Sequence, residues 1–414
     1  MKSKILIHSI VFSPDGVSTA YLYNDIALAF KKHNYEVVVL TTTPHYNIVE
    51  SEIEKQPLQK KWFGLFFESN FNGIKVIHIP QKKFKSTALR LLGFIFWHIM
   101  SIVLGLRERG VGFILSPSPP LTIGAINLFI GKIKKAKVVY NVQEIYPDFL
   151  IEQGGLKNNL IINSLKKLER FVYNSSDAVT TIDSVFYSTI KPRVINKEKL
   201  HIIPNFVDTD LYRPIHKNAI NIDESIFLQN DHLKLMYAGN IGHAQDWMPL
   251  IEAALRLKND PVDFYIIGEG VMKDFLVEKK EQLGLDQLFI LPYQNRNLMP
   301  ELLSFSDIQF IFMSKEMEGH GFPSKVYTIM ACSKPMIICS GENTPIVNFL
   351  KDLNCSKIIS KRSLEEKVDE IVDFIRSSTK VHLQMLGANG LDVVTKNYTK
   401  KVVTEKYVDL INKL

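Results

Sequence analysis

Residues 315–338 read KEMEGHGFPSKVYTIMACSKPMII: a loop, a short helix and a buried strand in succession. A carboxylate stands in a glycine-flanked loop, Glu318-Gly319-His320-Gly321. Pro323-Ser324-Lys325 follows at the start of a predicted helix, with Val326, Ile329 and Met330 at helical spacing. Lys334-Pro335 breaks that helix, and Met336 to Ile338 suits a buried strand. Exposed amide N–H groups at a helix start attract anions. Lys325 adds a formal charge in the same turn, where a lysine opposes the helix dipole unless an anion compensates it. Glu318 can accept hydrogen bonds from hydroxyls. Anion and hydroxyl recognition side by side suits a ligand carrying both, such as a nucleotide sugar.

Outward from this stretch, short apolar runs alternate with helical patterns. In the first half, strands are expected over 4–12, 36–42, 73–79, 110–116, 136–142, 179–183 and 199–204, with helices over 18–33 and 121–133. The rhythm restarts near residue 230, with strands over 233–238, 261–268, 288–292 and 308–313 and helices over 247–258, 272–283 and 297–305. This is the βαβ pattern of α/β proteins with doubly wound parallel sheets. Two such halves, 1–204 and 205–398, imply a central cleft between two sheets. Open parallel sheets bind ligands at the carboxyl ends of their strands. The last stretch, about 399–414, has Val402, Val403, Tyr407, Leu410 and Ile411 on one helical face and can pack back onto the first half.

A chain of 414 residues suits two domains, and 46% hydrophobic with 22% charged residues excludes a disordered one. Cys332, Cys339 and Cys355 have no CxxC spacing, which fits a reducing cytoplasm. The apolar run after Met1 reaches Pro14-Asp15-Gly16 without a small-residue cleavage pattern, so a first strand is expected rather than a signal peptide. Net charge is +7 and unevenly spread: residues 1–200 hold 26 Lys and Arg against 15 Asp and Glu, residues 201–414 hold 24 against 28. A basic first half can face nucleic acid, an anionic membrane surface or only solvent. No zinc spacing, RNP-like motif or basic helix accompanies it, so nucleic acid is not expected as a partner.

Residues 88–106, ALRLLGFIFWHIMSIVLGL, pose a membrane question. The uncharged part, Leu91 to Leu106, is about 24 Å long as a helix against a ~30 Å bilayer core. His98, Ser101 and two glycines weaken a spanning reading further. The favoured reading is a buried helix of the first domain; the second is a helix dipping into the membrane interface.

Several candidate positions stand at expected strand ends. Gly16, between the first strand and helix, permits close backbone approach to a ligand, although turn geometry alone also explains it. Gly239-Asn240-Ile241-Gly242 ends the first strand of the second half and can offer amides and the Asn240 side chain to a diphosphate; a plain turn is the alternative. His243 is expected as an exposed loop residue, and Gly268-Glu269-Gly270 as a strand-end turn. Tyr293 and Gln294 can border a nucleotide base. Glu144 ends a strand of the first half and can orient a hydroxyl, or serve as a structural carboxylate. Asp208-Thr209-Asp210 has a metal-binding look, but its place at the connection between halves reads as loop structure, and no metal is expected.

Taken in order, Pro14-Asp15-Gly16-Val17-Ser18-Thr19, IIPNFVDTDLYRP (202–214), YAGNIG (237–242), IIGEG (266–270) and residues 315–338 resemble the retaining GT-B glycosyltransferases of family four, over nearly the whole chain. TTTPHYN (41–47), NVQEIYPD (141–148) and the Pro323-Ser324-Lys325 tripeptide are similar to bacterial enzymes of O-antigen, capsule or colanic-acid synthesis. The resemblance implies two Rossmann-like domains, acceptor on the first and nucleotide-sugar donor on the second, with the last helix crossing back. It implies Glu318, Lys325 and Glu144 as catalytic candidates. It also implies donor contacts from Gly16, Gly239, Asn240, Gly242, Tyr293, Gly319, His320, Gly321, Ser324 and Thr328, and no cofactor or metal. The implied setting is the inner face of the cytoplasmic membrane, with a UDP-sugar donor, an N-acetylated or deoxy hexose, a lipid-linked saccharide acceptor, and peripheral membrane contact through the basic first domain.

The chain departs from the family pattern. Of two family glutamates, Glu318 matches the first, while the second falls on Val326, or on Thr328 if Met330-Ala331 is the anchor. The Arg and Lys that follow YAG in the family are replaced by Asn240 and roughly Gln245, and Lys325 can supply the lost charge. These losses keep two alternatives open, a non-catalytic GT-B partner subunit and a GT-B nucleotide-sugar epimerase.

Overall fold

Strands buried on both faces need near-continuous apolar sequence, and that is how the core strands of both halves are written. A computed structural model describes residues 3–45, 50–81, 86–152, 154–318 and 322–414. The chain divides into two units, Met1–Asn205 with Lys401–Leu414, and Phe206–Lys400.

The first unit holds β1 (Lys4–His8), β2 (Glu36–Thr42), β3 (Gln59–Lys61), β4 (Phe66–Phe71), β5 (Ile74–Ile79), β6 (Val111–Ser118), β7 (Lys137–Val142), β8 (Ala178–Thr181) and β9 (Leu200–Ile202). They form one sheet in the order β3-β4-β5-β2-β1-β6-β7-β8-β9. Pairing is parallel from β5 to β9, and β3, β4 and β5 add an antiparallel edge. That edge turns at Asn72-Gly73, whose φ values of 49° and 79° suit an Asn-Gly hairpin turn.

The second unit holds β10 (Leu233–Ala238), β11 (Val262–Ile267), β12 (Leu288–Leu291), β13 (Ile308–Phe312), β14 (Met336–Cys339) and β15 (Ser356–Ile359). The order is β12-β11-β10-β13-β14-β15, parallel throughout. The strand order reverses direction at β10, so the loops after β10 and β13 diverge and leave a crevice at their carboxyl ends.

Helices Asn159–Ser175, Leu364–Ser377 and Lys380–Asn397 join those expected from the sequence. Asn158 caps the first by accepting from the amides of Leu160 and Ile161. The helix Thr87–Arg107 corrects the favoured sequence reading. Trp97, Met100, Ser101 and Leu104 enter the core, but Leu91, Leu92, Ile95, Ile99 and Val103 are exposed. A helix apolar on all sides cannot declare its buried face through periodicity, so the sequence could not show this.

The last helix, Lys400–Lys413, packs on the first unit through polar contacts as well as apolar ones. Asn141, fully buried on β7, accepts from Tyr23 Oη at 2.7 Å and donates to Thr180 Oγ1 at 2.8 Å and Tyr407 Oη at 3.0 Å. Tyr35 donates to Asn412 Oδ1 at 2.6 Å, and His33 meets Glu405 at 2.9 Å. Removing one partner of a buried network leaves the others unsatisfied. Asn141→Leu is therefore expected to destabilise the first unit by roughly 3–5 kcal/mol and Tyr407→Phe by about 1 kcal/mol. Urea unfolding measures both, and equal, near-zero losses would contradict the network.

Candidate functional site

The second unit builds its site at three neighbouring strand ends. After β10, the Gly239–Gly242 loop lies against the loop after β11: Gly239 N donates to Ile267 O at 2.9 Å, and Ile241 N to Glu269 O at 2.8 Å. The approach is so close that a Cβ on Gly268, whose φ is 152°, would sit 1.9 Å from the Gly239 carbonyl oxygen. Gly268-Glu269-Gly270 is thus a packing device that shapes the loop, as a strand-end turn should. Asn240 is exposed, and a Cβ on Gly242 would meet its side-chain nitrogen at 2.8 Å. Tyr237 Oη donates to Asn240 O at 2.8 Å and Trp247 Nε1 to Gly242 O at 3.1 Å, so the loop's carbonyls face inward bonds. Gln245 does not stand open in place of a basic residue; its Oε1 accepts from Phe312 N at 3.1 Å. His243 is exposed, as expected.

Lys325 opens the helix Lys325–Ala331 and reaches back to the end of β10. Its Nζ donates to Ala238 O at 3.3 Å and sits 3.7 Å from the centre of the Tyr237 ring. The φ of 151° at Gly239 favours glycine, and a Cβ there would approach that Nζ to 2.8 Å and push the lysine's flexible end aside. No carboxylate pairs with this ammonium among the described residues. The side chain as a whole is half-buried, but its charged end lies among protein atoms, and that desolvation pulls its pKa down to about 7. The helix it starts has seven residues, and Ser324 at its N-cap makes no side-chain capping bond. The pull on an anion therefore comes mainly from the lysine.

Glu318 lies at the next strand ends. Its Oε1 accepts from Gly341 N, just after β14, at 2.7 Å. Between the two, immediately after β13, the hydroxyl of Ser314 is buried with no hydrogen-bond partner among the described residues. An orphaned buried hydroxyl asks for a partner that the chain does not supply. Lys325, Ser314 and Glu318 thus mark the ends of β10, β13 and β14, across roughly 10 Å of adjacent strand spacings. Ser314 and Gly341 were missed in the sequence, where the only signal was their place just past an apolar run.

The two possible seats of the missing glutamate separate clearly. Val326 is 0% exposed and belongs to the core beneath the helix, so it cannot meet a ligand. Thr328 is half-buried, and its hydroxyl donates to Lys325 O at 2.8 Å while its lone pairs remain acceptors. Tyr293 follows the edge strand β12 and is 59% exposed, apart from the Lys325 group. Gly319, His320 and Gly321 lie outside the described residues.

The first unit carries its own cavity at the carboxyl ends of β1, β6 and β7. It encloses about 260 Å³ and is lined by Ser9, Val17, Thr19, Ser118 and Glu144 among others. Burial raises the pKa of the Glu144 carboxyl, and a hydrogen bond with Tyr146 works against that rise. Gly16 precedes the lining residue Val17 at the end of a long connection, 9–17, rather than in a tight turn. Asp208 and Asp210 pair with Lys400 at 2.9 and 3.6 Å, so the Asp-Thr-Asp stretch is loop structure. Among the described residues, no three His, Cys, Asp or Glu side chains gather as a metal cage.

Comparison with known proteins bears on both units. Residues 219–385 match the family model "Glycosyl transferases group 1". The chain is 23% identical over 355 residues to the putative colanic acid biosynthesis glycosyl transferase WcaI of Escherichia coli K12, covering 83% of this chain and 84% of that one. It is 26% identical over 331 residues to the probable glycosyltransferase WbjE of Pseudomonas aeruginosa, covering 76% and 78%. Among solved structures, Anabaena HepE in complex with UDP and glucose superposes with a TM-score of 0.73 at 12% identity, covering all of both chains. WaaG, a glycosyltransferase involved in lipopolysaccharide biosynthesis, gives 0.67 at 13% identity over 98% and 99%.

A lysine desolvated without a counter-ion costs stability, since the folded state holds its proton less tightly than the unfolded state does. Its contribution is unfavourable below pH 7 and fades as pH rises from about 7 towards the ordinary lysine value. Lys325→Met, similar in length and uncharged, is expected to raise the melting temperature of the free protein by a few degrees at pH 6 and by less at pH 9. Gly239→Ala should lower it at both. A lower melting temperature for Lys325→Met at pH 6 would contradict the placement of the ammonium.

Proposed function

The chain is a glycosyltransferase of GT-B fold resembling family four, and from that premise we propose a retaining enzyme acting in bacterial surface polysaccharide synthesis, O-antigen or capsule. It moves a hexosyl residue, N-acetylated or deoxy, from a UDP-sugar to a lipid-linked saccharide at the inner face of the cytoplasmic membrane. The naming of one relative for colanic acid synthesis and the UDP held by HepE support this reading. The observation that carries it is the Lys325 ammonium, set among protein atoms at the end of β10 with no carboxylate paired to it among the described residues.

In this reading the diphosphate lies against the Gly239–Gly242 loop and takes Lys325 as its cation. As the bond between the anomeric carbon and the diphosphate oxygen breaks, negative charge grows on that oxygen, and a cation already in a low-dielectric place stabilises it without reorganisation. Glu318, one oxygen fixed by Gly341, presents the other to donor-sugar hydroxyls. Thr328 offers a neutral acceptor to the ribose in place of a glutamate. The acceptor hydroxyl attacks from the face the diphosphate leaves, and the departing diphosphate takes its proton, which retains the anomeric configuration. Glu144, its carboxyl raised by burial, orients the acceptor in the first unit's cavity. No metal is needed where lysine and backbone amides meet the charge.

A thermal-shift panel with UDP-, GDP- and dTDP-sugars tests the donor: UDP-sugars are expected to stabilise the chain most. Glu318→Ala and Lys325→Ala should each reduce transfer by roughly 100-fold or more, and EDTA should leave the rate unchanged. Indifference to all three donors, or full transfer by both variants, would sink the reading.

The lysine also fixes a pH dependence. An anion prefers the ammonium form, which predominates below about pH 7 in the free protein. The dissociation constant for the UDP-sugar is therefore expected to be flat below that pH and to climb by up to about tenfold per pH unit above it. At pH 8, binding takes up a proton, visible in calorimetry as heat that varies with buffer ionisation enthalpy. Lys325→Met should abolish both effects.

A further inference from the structure

The cavity of the first unit depends on a connection that the sheet itself does not hold. Between β1 and the helix Ser18–Lys32, residues 9–17 run without helix or strand, and Ser9, Ile10, Val11 and Val17 line the cavity. Side chains fix this stretch at Ser13. Its amide donates to Asn24 Oδ1 at 3.0 Å, its hydroxyl donates to Gln56 Oε1 at 2.7 Å, and its carbonyl accepts from Gln56 Nε2 at 3.1 Å. Every polar atom of Ser13 is thus bonded, two of them to one side chain. Gln56 is 4% exposed, although it stands between the short helix Glu50–Lys55 and β3, in a stretch with little apolar sequence.

The far side of Gln56 is anchored as well. Its Nε2 also donates to Ser69 Oγ on β4 at 2.8 Å, and that hydroxyl lies 2.7 Å from Nε2 of His78 on β5. His78 Nδ1 lies 3.1 Å from the Thr42 carbonyl oxygen. A carbonyl only accepts, so Nδ1 carries the ring hydrogen and Nε2, in a neutral ring, accepts from Ser69. Burial keeps that ring neutral and draws its pKa down to about 4. Ser69 donates its hydrogen to His78 and accepts the Gln56 amide on a lone pair. Thr42 closes the circuit, since its hydroxyl donates to Ile10 O at 2.8 Å. One directed run of bonds leads from β2 through β5 and β4 to Ser13, and the antiparallel edge of the sheet supplies His78 and Ser69 to it.

A buried amide with three bonds cannot be replaced by an apolar group without leaving its partners unsatisfied. A shift of about 1 Å in a wall that places a reacting group can lower a rate roughly 100-fold. We propose that Gln56 is a positioning residue for the acceptor: by clamping Ser13 it sets where the connection 9–17 stands along the cavity wall. Gln56 is not among the described residues lining the cavity, so it acts through the connection and not by touching a substrate. This deepens the reading that the acceptor lies in this cavity beside Glu144, and it rests on that reading for its effect on transfer.

Gln56→Met, close in length and without the amide, tests this together with Ser13→Ala, which removes one hydroxyl. Hydrogen exchange of the full chain, read by mass spectrometry, needs neither sugar nor turnover. Gln56→Met is expected to speed exchange over 9–17 by about tenfold or more and to leave the strands of the second unit unchanged. Unchanged exchange over 9–17 would overturn the proposal. Transfer is then measured with the UDP-sugar that stabilises the chain most as donor, and with octyl glucoside, octyl galactoside and octyl N-acetylglucosaminide as acceptors. In Gln56→Met the acceptor kcat/KM is expected to fall about tenfold or more, with the donor KM within about twofold of the unmodified chain. The double variant should lose no more than Gln56→Met alone, because both changes cut one clamp. Donor and acceptor affected alike, or losses that add in the double variant, would mark a merely structural amide and overturn the proposal. If Gln56→Met does not fold, Ser13→Ala and Ser69→Ala carry both measurements. An unmodified chain that transfers to none of the three acceptors counts against the acceptor reading, and exchange over 9–17 still decides whether Gln56 holds the connection.

Discussion

The second unit's site depends on one unfavourable placement, an ammonium set among backbone and an aromatic ring with no carboxylate against it among the described residues. The Tyr237 ring face and the Ala238 carbonyl offset part of the desolvation, and a single weak carbonyl contact does not replace water's several. The loop beside this lysine is held by backbone bonds to the loop after β11. Gly268 lacks a side chain because the Gly239 carbonyl oxygen occupies that space, and Gly239 holds a φ of 151° that favours glycine while its missing Cβ leaves the lysine's end undisturbed.

The fold was legible where local pattern carries the information. The apolar runs that became β2, β10 and β13 declared themselves because parallel strands buried on both faces have no polar alternative. The antiparallel edge was not anticipated, since β3 and the polar positions of β4 have little apolar signal, although Asn72-Gly73 is a hairpin marker. The site was legible in its loops and opaque in its contacts. Glu318 binds an amide 23 residues away and Lys325 a carbonyl 87 residues away, and no local spacing encodes either pairing. The choice between Val326 and Thr328 was within reach. Val326 shares the apolar stripe of Ile329 and Met330, and Thr328 interrupts it, so helical period alone turns the threonine outward.

The first unit shows the opposite economy of burial. Polar Asn141 is hidden and fully bonded, including to a helix that arrives from the far end of the chain. The leucines and isoleucines of the helix Thr87–Arg107 stay outside. Folding that favoured apolar burial alone would have turned more of this helix inward. It cannot, because the inward arc is already filled by Trp97, Met100 and Leu104, and the outward arc is exposed among the described residues.

A desolvated charge with no carboxylate beside it among the described residues and an apolar stripe left exposed are two forms of one signal. Each raises the free energy of the chain alone in water: the first lacks a counter-charge, and the second leaves apolar surface in contact with solvent. Sequences are locally consistent except where function requires otherwise. The two exceptions here fall in different units, and each is held by the core of its own unit. The charge and the stripe therefore rest on separate residues, and substitutions at one are expected to leave the energetics of the other unchanged.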